Sequence, residues 1–165
     1  MSGSSTGDKL EDLYLCHGPE ALRLAYLLTG DRELAEDLAQ EAFVRVARRL
    51  TGLRDAGAVR WYLRRTVVNL AHSHLRRRVE RAHMPVLVSS VALAGTGAAD
   101  VATTQAVRDA IARLSPRQRA VVVLRYYQDL TDQQIASVLN CPVGSVKSAL
   151  HRATAILRQH LGQEE

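Results

Sequence analysis

Lys147, Ser148, His151 and Arg152 stand one, three and one residues apart, a spacing that gathers all four on one side of a helix. Lysine and arginine donate to guanine edges, and a serine hydroxyl can bond a base edge or a phosphate. Gly144 and Ser145, just ahead of them, are small enough to let backbone approach a sugar-phosphate chain, and a helix N-terminus favours a phosphate oxygen. A second constellation lies upstream. Trp61, Arg65, Asn69, His72 and Arg76 recur at steps of three or four and form one stripe. Around them seven arginines, at positions 60, 64, 65, 76, 77, 78 and 81, face the single acid Glu80. Acids gather earlier instead, in the run holding Glu33, Glu36, Asp37 and Glu41, so one face suits phosphate and another does not.

The elements that must carry these groups read as helices throughout. Leu34, Leu38, Ala42, Val46 and Leu50, widened by Ala35, Ala39, Phe43 and Ala47, repeat with helical period behind a capping Asp31. Before them, a stretch from Asp8 should be divided by Pro19 and closed by the Gly30-Asp31 turn. A loop over 53–57 leads to a long helix from about Ala58 to Ala82, with Val59, Leu63, Val67, Leu70 and Ala71 inward. Residues 83–104 lose the period and read as a linker of roughly 20 residues, averaging about 25 Å as a coil and reaching about 65 Å extended. The two modules could then sit well apart. Within the linker, Val86 to Ala94 is apolar enough to dock on a partner or cover a core.

Beyond it the punctuation sharpens. Ser115-Pro116-Arg117-Gln118 and Thr131-Asp132-Gln133-Gln134 are two capping boxes, the first with proline at the opening helical position. A Leu139-Asn140-Cys141-Pro142 turn then precedes a helix whose Val146, Leu150, Ala153 and Leu157 face inward, which is a helix-turn-helix. The expected fold is all-α: a tail over 1–7, a first module over 8–82, the linker, and a second module over 105–162.

Composition sets bounds on what this can be. Aromatics make up 4 %, too few for an ordinary sandwich, and the net charge of +5 suits an anionic partner. The first seven residues lack an apolar core, and no run is long enough to span a bilayer, so neither export nor membrane insertion is expected. Cys16 and Cys141 form no CxxC pair, which fits a reducing cytoplasm, with both thiols expected to be buried and inert. The six histidines, at 17, 72, 74, 83, 151 and 160, share no metal-binding spacing, and no HExxH, GxSxG or P-loop occurs. No catalysis, metal, cofactor or small-molecule substrate is therefore expected.

The segments Leu114 to Arg119, Val123 to Tyr126, Ile135-Ala136 and Pro142 to Ala153 resemble region four of an extracytoplasmic-function sigma factor. Leu22 to Ala25 and Ala35 to Phe43 resemble the opening of region two, and Asn69-Leu70-Ala71 with Leu75 to Arg78 resemble its close. Within the family the likeness is to the actinobacterial SigE-like branch. That resemblance implies a cytoplasmic transcription initiation factor that partners core RNA polymerase and promoter DNA, with an anti-sigma protein as a further partner. It points to Asp37, Gln40 and Glu41 for docking on the clamp coiled coil of the largest subunit, and to the polymerase flap for the second module. Trp61, Tyr62, Arg65, Asn69, His72, Arg76 and Arg77 would hold the opened minus-ten element, with one of the two rings stacked on a base. Ser145, Lys147, Ser148, His151 and Arg152 would read the minus-thirty-five duplex.

Two positions depart from the family pattern. Tyr62 stands where many relatives carry tryptophan, and Ala149 where many carry arginine, which implies one phosphate contact fewer. The competing reading, a stand-alone helix-turn-helix repressor or activator, predicts a dimer on a palindromic operator and leaves the first module without a purpose.

Overall fold

A computed structural model describes residues 6–49, 55–82 and 101–162. Among them are seven α-helices and no strand: α1 (Thr6–Thr29), α2 (Arg32–Arg49), α3 (Ala56–Ala82), α4 (Val101–Ala112), α5 (Pro116–Val122), α6 (Asp132–Leu139) and α7 (Val143–Leu161). The expected all-α class holds. Leu50, the loop residues 51–54 and most of the linker, Val86 to Ala94 included, lie outside the described residues.

Four boundaries differ from expectation. Pro19 sits inside α1 rather than dividing it. Proline frees the carbonyl four residues back, here that of Leu15, and Leu15 is 68 % exposed, so water can satisfy it while Ala21, Leu24, Ala25 and Leu28 anchor the helix beyond. Thr6 and Gly7 belong to α1, not to a tail, and residues 101–104 open α4 rather than closing the linker. In addition, α3 starts at Ala56, where the Asp55 carboxylate accepts from the Gly57 amide at 3.2 Å and ends the loop earlier.

The first three helices pack as a bundle. Leu24, Ala25 and Leu28 of α1, Leu38, Ala42, Phe43 and Val46 of α2, and Val59, Leu63 and Val67 of α3 are buried in one cluster. Asp31 caps α2 as expected, its Oδ1 accepting from the Leu34 amide at 3.2 Å. Because Glu20 of α1 lies level with Arg60 and Arg64, α1 ends beside roughly the His72 turn of α3. The last turns of α3 therefore continue past the bundle.

In the second module both capping boxes form. Ser115 Oγ accepts from the Gln118 amide while Gln118 Oε1 accepts from the Ser115 amide, and Thr131 and Gln134 repeat the exchange. Between them α5 runs into a π-helical turn over Val123–Tyr127, which the periodicity does not reveal. Its extra residue shifts the register so that Val123 and Leu124 are buried while Tyr126 is exposed. Asn140 adopts a left-handed conformation (φ 51°) to close α6, a backbone state that asparagine tolerates, and α7 follows at once.

The modules do not sit apart. One continuous core joins Val68 and Ala71 of α3 to Ala120, Val121, Leu124, Ile135 and Val138 of the second module. Arg119 marks the seam. Its guanidinium, 2 % exposed, donates to Leu28 O at 3.1 Å, Ala112 O at 3.1 Å and Ile111 O at 3.3 Å. Those carbonyls end α1 and α4, so one cation satisfies acceptors at two helix C-termini, where the macrodipole favours positive charge. The linker's reach permits separation; buried apolar area and this capping favour contact.

Candidate nucleic-acid interface

α7 displays its polar face as the spacing implies. Lys147, Ser148, His151 and Arg152 are exposed, Ser145 is half-buried, and none of the five has a side-chain hydrogen bond or ion pair to another described residue. Val146 and Ala153 are buried beneath them, with Leu150 and Leu157 half-buried, so packing fixes the helix's rotation and leaves its donors free. A Cβ built on Gly144 would meet nothing within 4 Å, leaving that backbone open to a close approach. Ala149 is only 7 % exposed and belongs to the core cluster, so the position is structural in this arrangement.

α3 brings together most, but not all, of the second group. Trp61, Arg65, Asn69, His72 and Arg76 share one side; Tyr62 stands at its edge, and Arg77 lies about 160° round the helix from Trp61. Neither ring is free: both pack against the core, Arg64 lies 5.9 Å from the Trp61 ring centre and Arg49 5.3 Å from that of Tyr62. Asn69 and Arg76 are exposed, whereas Arg65 and His72 are half-buried. The seven arginines also divide. Arg60 and Arg64 bind Glu20, with Arg60 Nη2 to Oε1 at 3.0 Å, and Arg76 reaches Glu80 at 3.6 Å. Arg65, Arg77, Arg78 and Arg81 make no ion pair with a described residue.

On α2, Asp37, Gln40 and Glu41 are exposed together on the side away from the buried stripe. Glu41 already pairs with Arg45. Of the thiols, Cys16 is exposed and Cys141 half-buried, so the expectation of two buried cysteines fails.

Electrostatics tie the site to acid stability. Burial pushes His72 below its ordinary 6.5, and Arg76 and Arg117 add repulsion to its charged form. Partial burial pushes the Glu20 carboxyl up, but hydrogen bonding to Arg60 and the charges of Arg60, Arg64 and His17 outweigh it and leave the group below its usual range. Both folded values lie below the unfolded ones, so the unfolded chain takes up these protons first and stability is lost on acidification. We expect the melting temperature to fall as pH drops through about 6.5, where His72 begins to charge, and again below about 4.5 with Glu20. Thermal melts of His72→Gln should lack the first decline.

Two groups escape a linear reading. Arg119 looks like a surface cation beside Arg117, although its three- and four-residue spacing to Val122 and Val123 puts it on the apolar face. His74, Arg77, Arg78 and Arg81 line an open groove of about 270 Å³ at the end of α3. Their i, i+3, i+4, i+7 spacing is visible in the sequence, but the aligned Trp61 stripe draws the eye first.

Residues 13–81 match the Sigma-70 region 2 family and residues 104–157 match Sigma-70 region 4. The chain is 35 % identical over 140 residues to the RNA polymerase sigma-E factor of Streptomyces avermitilis, covering 85 % of this chain and 78 % of that protein. It is 34 % identical over 164 residues to the extracytoplasmic-function sigma factor SigM of Mycobacterium tuberculosis, covering 98 % and 83 %. The fold is similar to that of the sigma factor RpoE solved with the anti-sigma factor NepR from Bartonella quintana, with TM-score 0.74, 21 % identity, and coverage of 95 % of this chain and 99 % of that one. A stand-alone helix-turn-helix regulator would account for the second match and leave the first unexplained. With region 2 and region 4 present in order and relatives similar along most of their length, the chain belongs to the extracytoplasmic-function sigma factors.

Proposed function

We propose that the two modules divide promoter recognition between them, with Ser145, Lys147, Ser148, His151 and Arg152 reading the minus-thirty-five duplex and the Trp61 side of α3 holding the opened minus-ten strand. The observation that carries this is the unpaired donor set of α7, held at the surface by a buried Val146 and Ala153. Such a helix offers its N-terminal half to a major groove. On α3, the exposed Asn69 amide and the unpaired Arg65 suit base or phosphate contacts, and Trp61 and Tyr62 supply rings once a base displaces the arginine beside them. The acidic side of α2, with Asp37, Gln40 and Glu41, is the docking face for core polymerase. The polymerase supplies the chemistry and this subunit supplies the address, in the cytoplasm where that enzyme works. An anti-sigma protein is a further partner in this reading, supported by the neighbour solved with one.

Lys147→Ala or Arg152→Ala should weaken promoter binding by holoenzyme by about 1 to 3 kcal/mol and relax specificity at one base each. Arg65→Ala and Asn69→Ala should leave closed-complex affinity nearly intact and reduce strand opening. Permanganate footprinting reads the difference: normal thymine reactivity in both α3 variants would remove the role assigned to that helix.

A further inference from the structure

Val68, His72, Leu75 and Val79 follow one another along α3 at steps of four, three and four, which puts them within about 60° of one side. That side meets the second module. Val68 is buried in the core shared with Ala120 and Val121 of α5, while Leu75 and Val79 line a groove of about 300 Å³ together with Ser115, Pro116 and Gln118. His72 is the ionisable member of this stripe, half-buried between Val68 and Leu75. Of the elements packed on α3, which are α1, α2, α5 and α6, only α5 brings a charge to bear on the imidazole, that of Arg117. From α3 itself comes Arg76, whose ion pair with Glu80 is exposed. Among the described residues no acid acts on the ring, and the buried guanidinium of Arg119 in the same seam is engaged by carbonyls.

We propose that His72 is a proton-operated latch between the two modules, closed while the imidazole is neutral and loosened when it is charged. A neutral ring can lie among Val68, Leu75 and the first turn of α5. An imidazolium there loses hydration and stands beside two guanidiniums with no carboxylate to offset them. Burial, and after it the charges of Arg76 and Arg117, holds the group below its ordinary 6.5 in the closed form. Opening returns water to the ring, so the open form binds the proton more tightly and acidification shifts the balance towards it. The seam can part without unfolding because each module keeps apolar packing of its own, Leu24, Phe43 and Leu63 in the first and Leu114, Val122 and Ala153 in the second. Under the role proposed above for α3, on which this step rests, the closed form is also the inactive one. Trp61 and Arg65 continue the side of Val68 and His72 at steps of four and three, so α5 covers the C-terminal end of the stripe assigned to the opened strand. Opening uncovers it.

The test labels the full chain at the exposed Cys16 of α1 and at a cysteine introduced on α7, in the background Cys141→Ser/Gln159→Cys. Energy transfer and circular dichroism are followed together, without DNA, from about pH 7.5 to about pH 5.5, across the ordinary histidine range. Transfer should fall reversibly, by an amount that corresponds to about a doubling or more of the open fraction, while helix content stays constant. His72→Gln should hold transfer level over the same range. Arg117→Gln, at an exposed position where folding is not at stake, should shrink the response without abolishing it. Level transfer in the parent, or an equal fall in His72→Gln, overturns the latch, and so does an undiminished response in Arg117→Gln. A fall that runs together with loss of helix content overturns it too, since that is unfolding and not opening. The outcome is separable from the minus-ten reading: a working latch alongside normal permanganate reactivity in Arg65→Ala would retain the latch and reject that reading.

Discussion

Arg119→Met should lower the unfolding free energy by about 3 kcal/mol, seen as a drop of roughly 6 to 12 °C in melting temperature. The native guanidinium donates to carbonyls of Leu28, Ile111 and Ala112, and the substitution would leave the first buried and the other two part-buried at helix ends with no replacement side-chain donor. Burial has already pushed the Arg119 pKa down to about 10, yet the group stays charged at neutral pH, so its desolvation is offset only by those three acceptors. Methionine fills a similar volume, which isolates the polar loss from a cavity. Arg119→Lys should recover less than half of the stability, because a single ammonium cannot reach the two helix ends in the geometry of a planar fork. Denaturant titrations of both variants check this, and a methionine variant within 1 kcal/mol of the parent would refute the seam as described.

Leu124→Ala should cost about 4 kcal/mol. Leu124 is fully buried in the π-helical turn, inside the core that joins the two modules. Truncation removes its transfer free energy and leaves a cavity, and the surrounding turn has little freedom to collapse. Leu130 N is bonded to Leu124 O at 3.0 Å, Gln128 N to Val123 O at 3.1 Å, and Arg125 Nη1 to Leu130 O at 3.2 Å. By contrast, Tyr126→Ala, two residues on and 67 % exposed, should fall within about 0.5 kcal/mol of the parent. Chemical denaturation of the pair reads both, and similar losses at the two positions would contradict the register that the π turn imposes.

Much of this architecture was legible because the sequence states its helix ends. Ser115 with Gln118 and Thr131 with Gln134 form the reciprocal bonds that their spacing implies, and Asp31 caps α2. The buried stripe from Ala35 to Val46 follows the 3.6-residue period. Donor residues on α7 were equally plain, since a face opposite an apolar stripe must meet solvent. What stayed hidden depends on tertiary context. Pro19 removes only one backbone bond, to the carbonyl of the exposed residue Leu15, which local preference cannot weigh against distant packing. A π turn leaves no periodic mark within five residues. Arg119 and Arg117 are two steps apart and chemically identical, yet the first is buried and the second exposed, a difference set by α1, some ninety positions away. The closed contact between modules was concealed in the same way, because linker length bounds separation without fixing it.

Run-off transcription with the host's core RNA polymerase on genomic promoter fragments tests the central claim most directly. With the chain added, discrete transcripts should start a fixed distance downstream of shared upstream sequences, and Lys147→Ala/Arg152→Ala should reduce them by about tenfold or more. If core enzyme gives the same transcripts with and without the chain on every fragment, this protein does not direct polymerase to promoters.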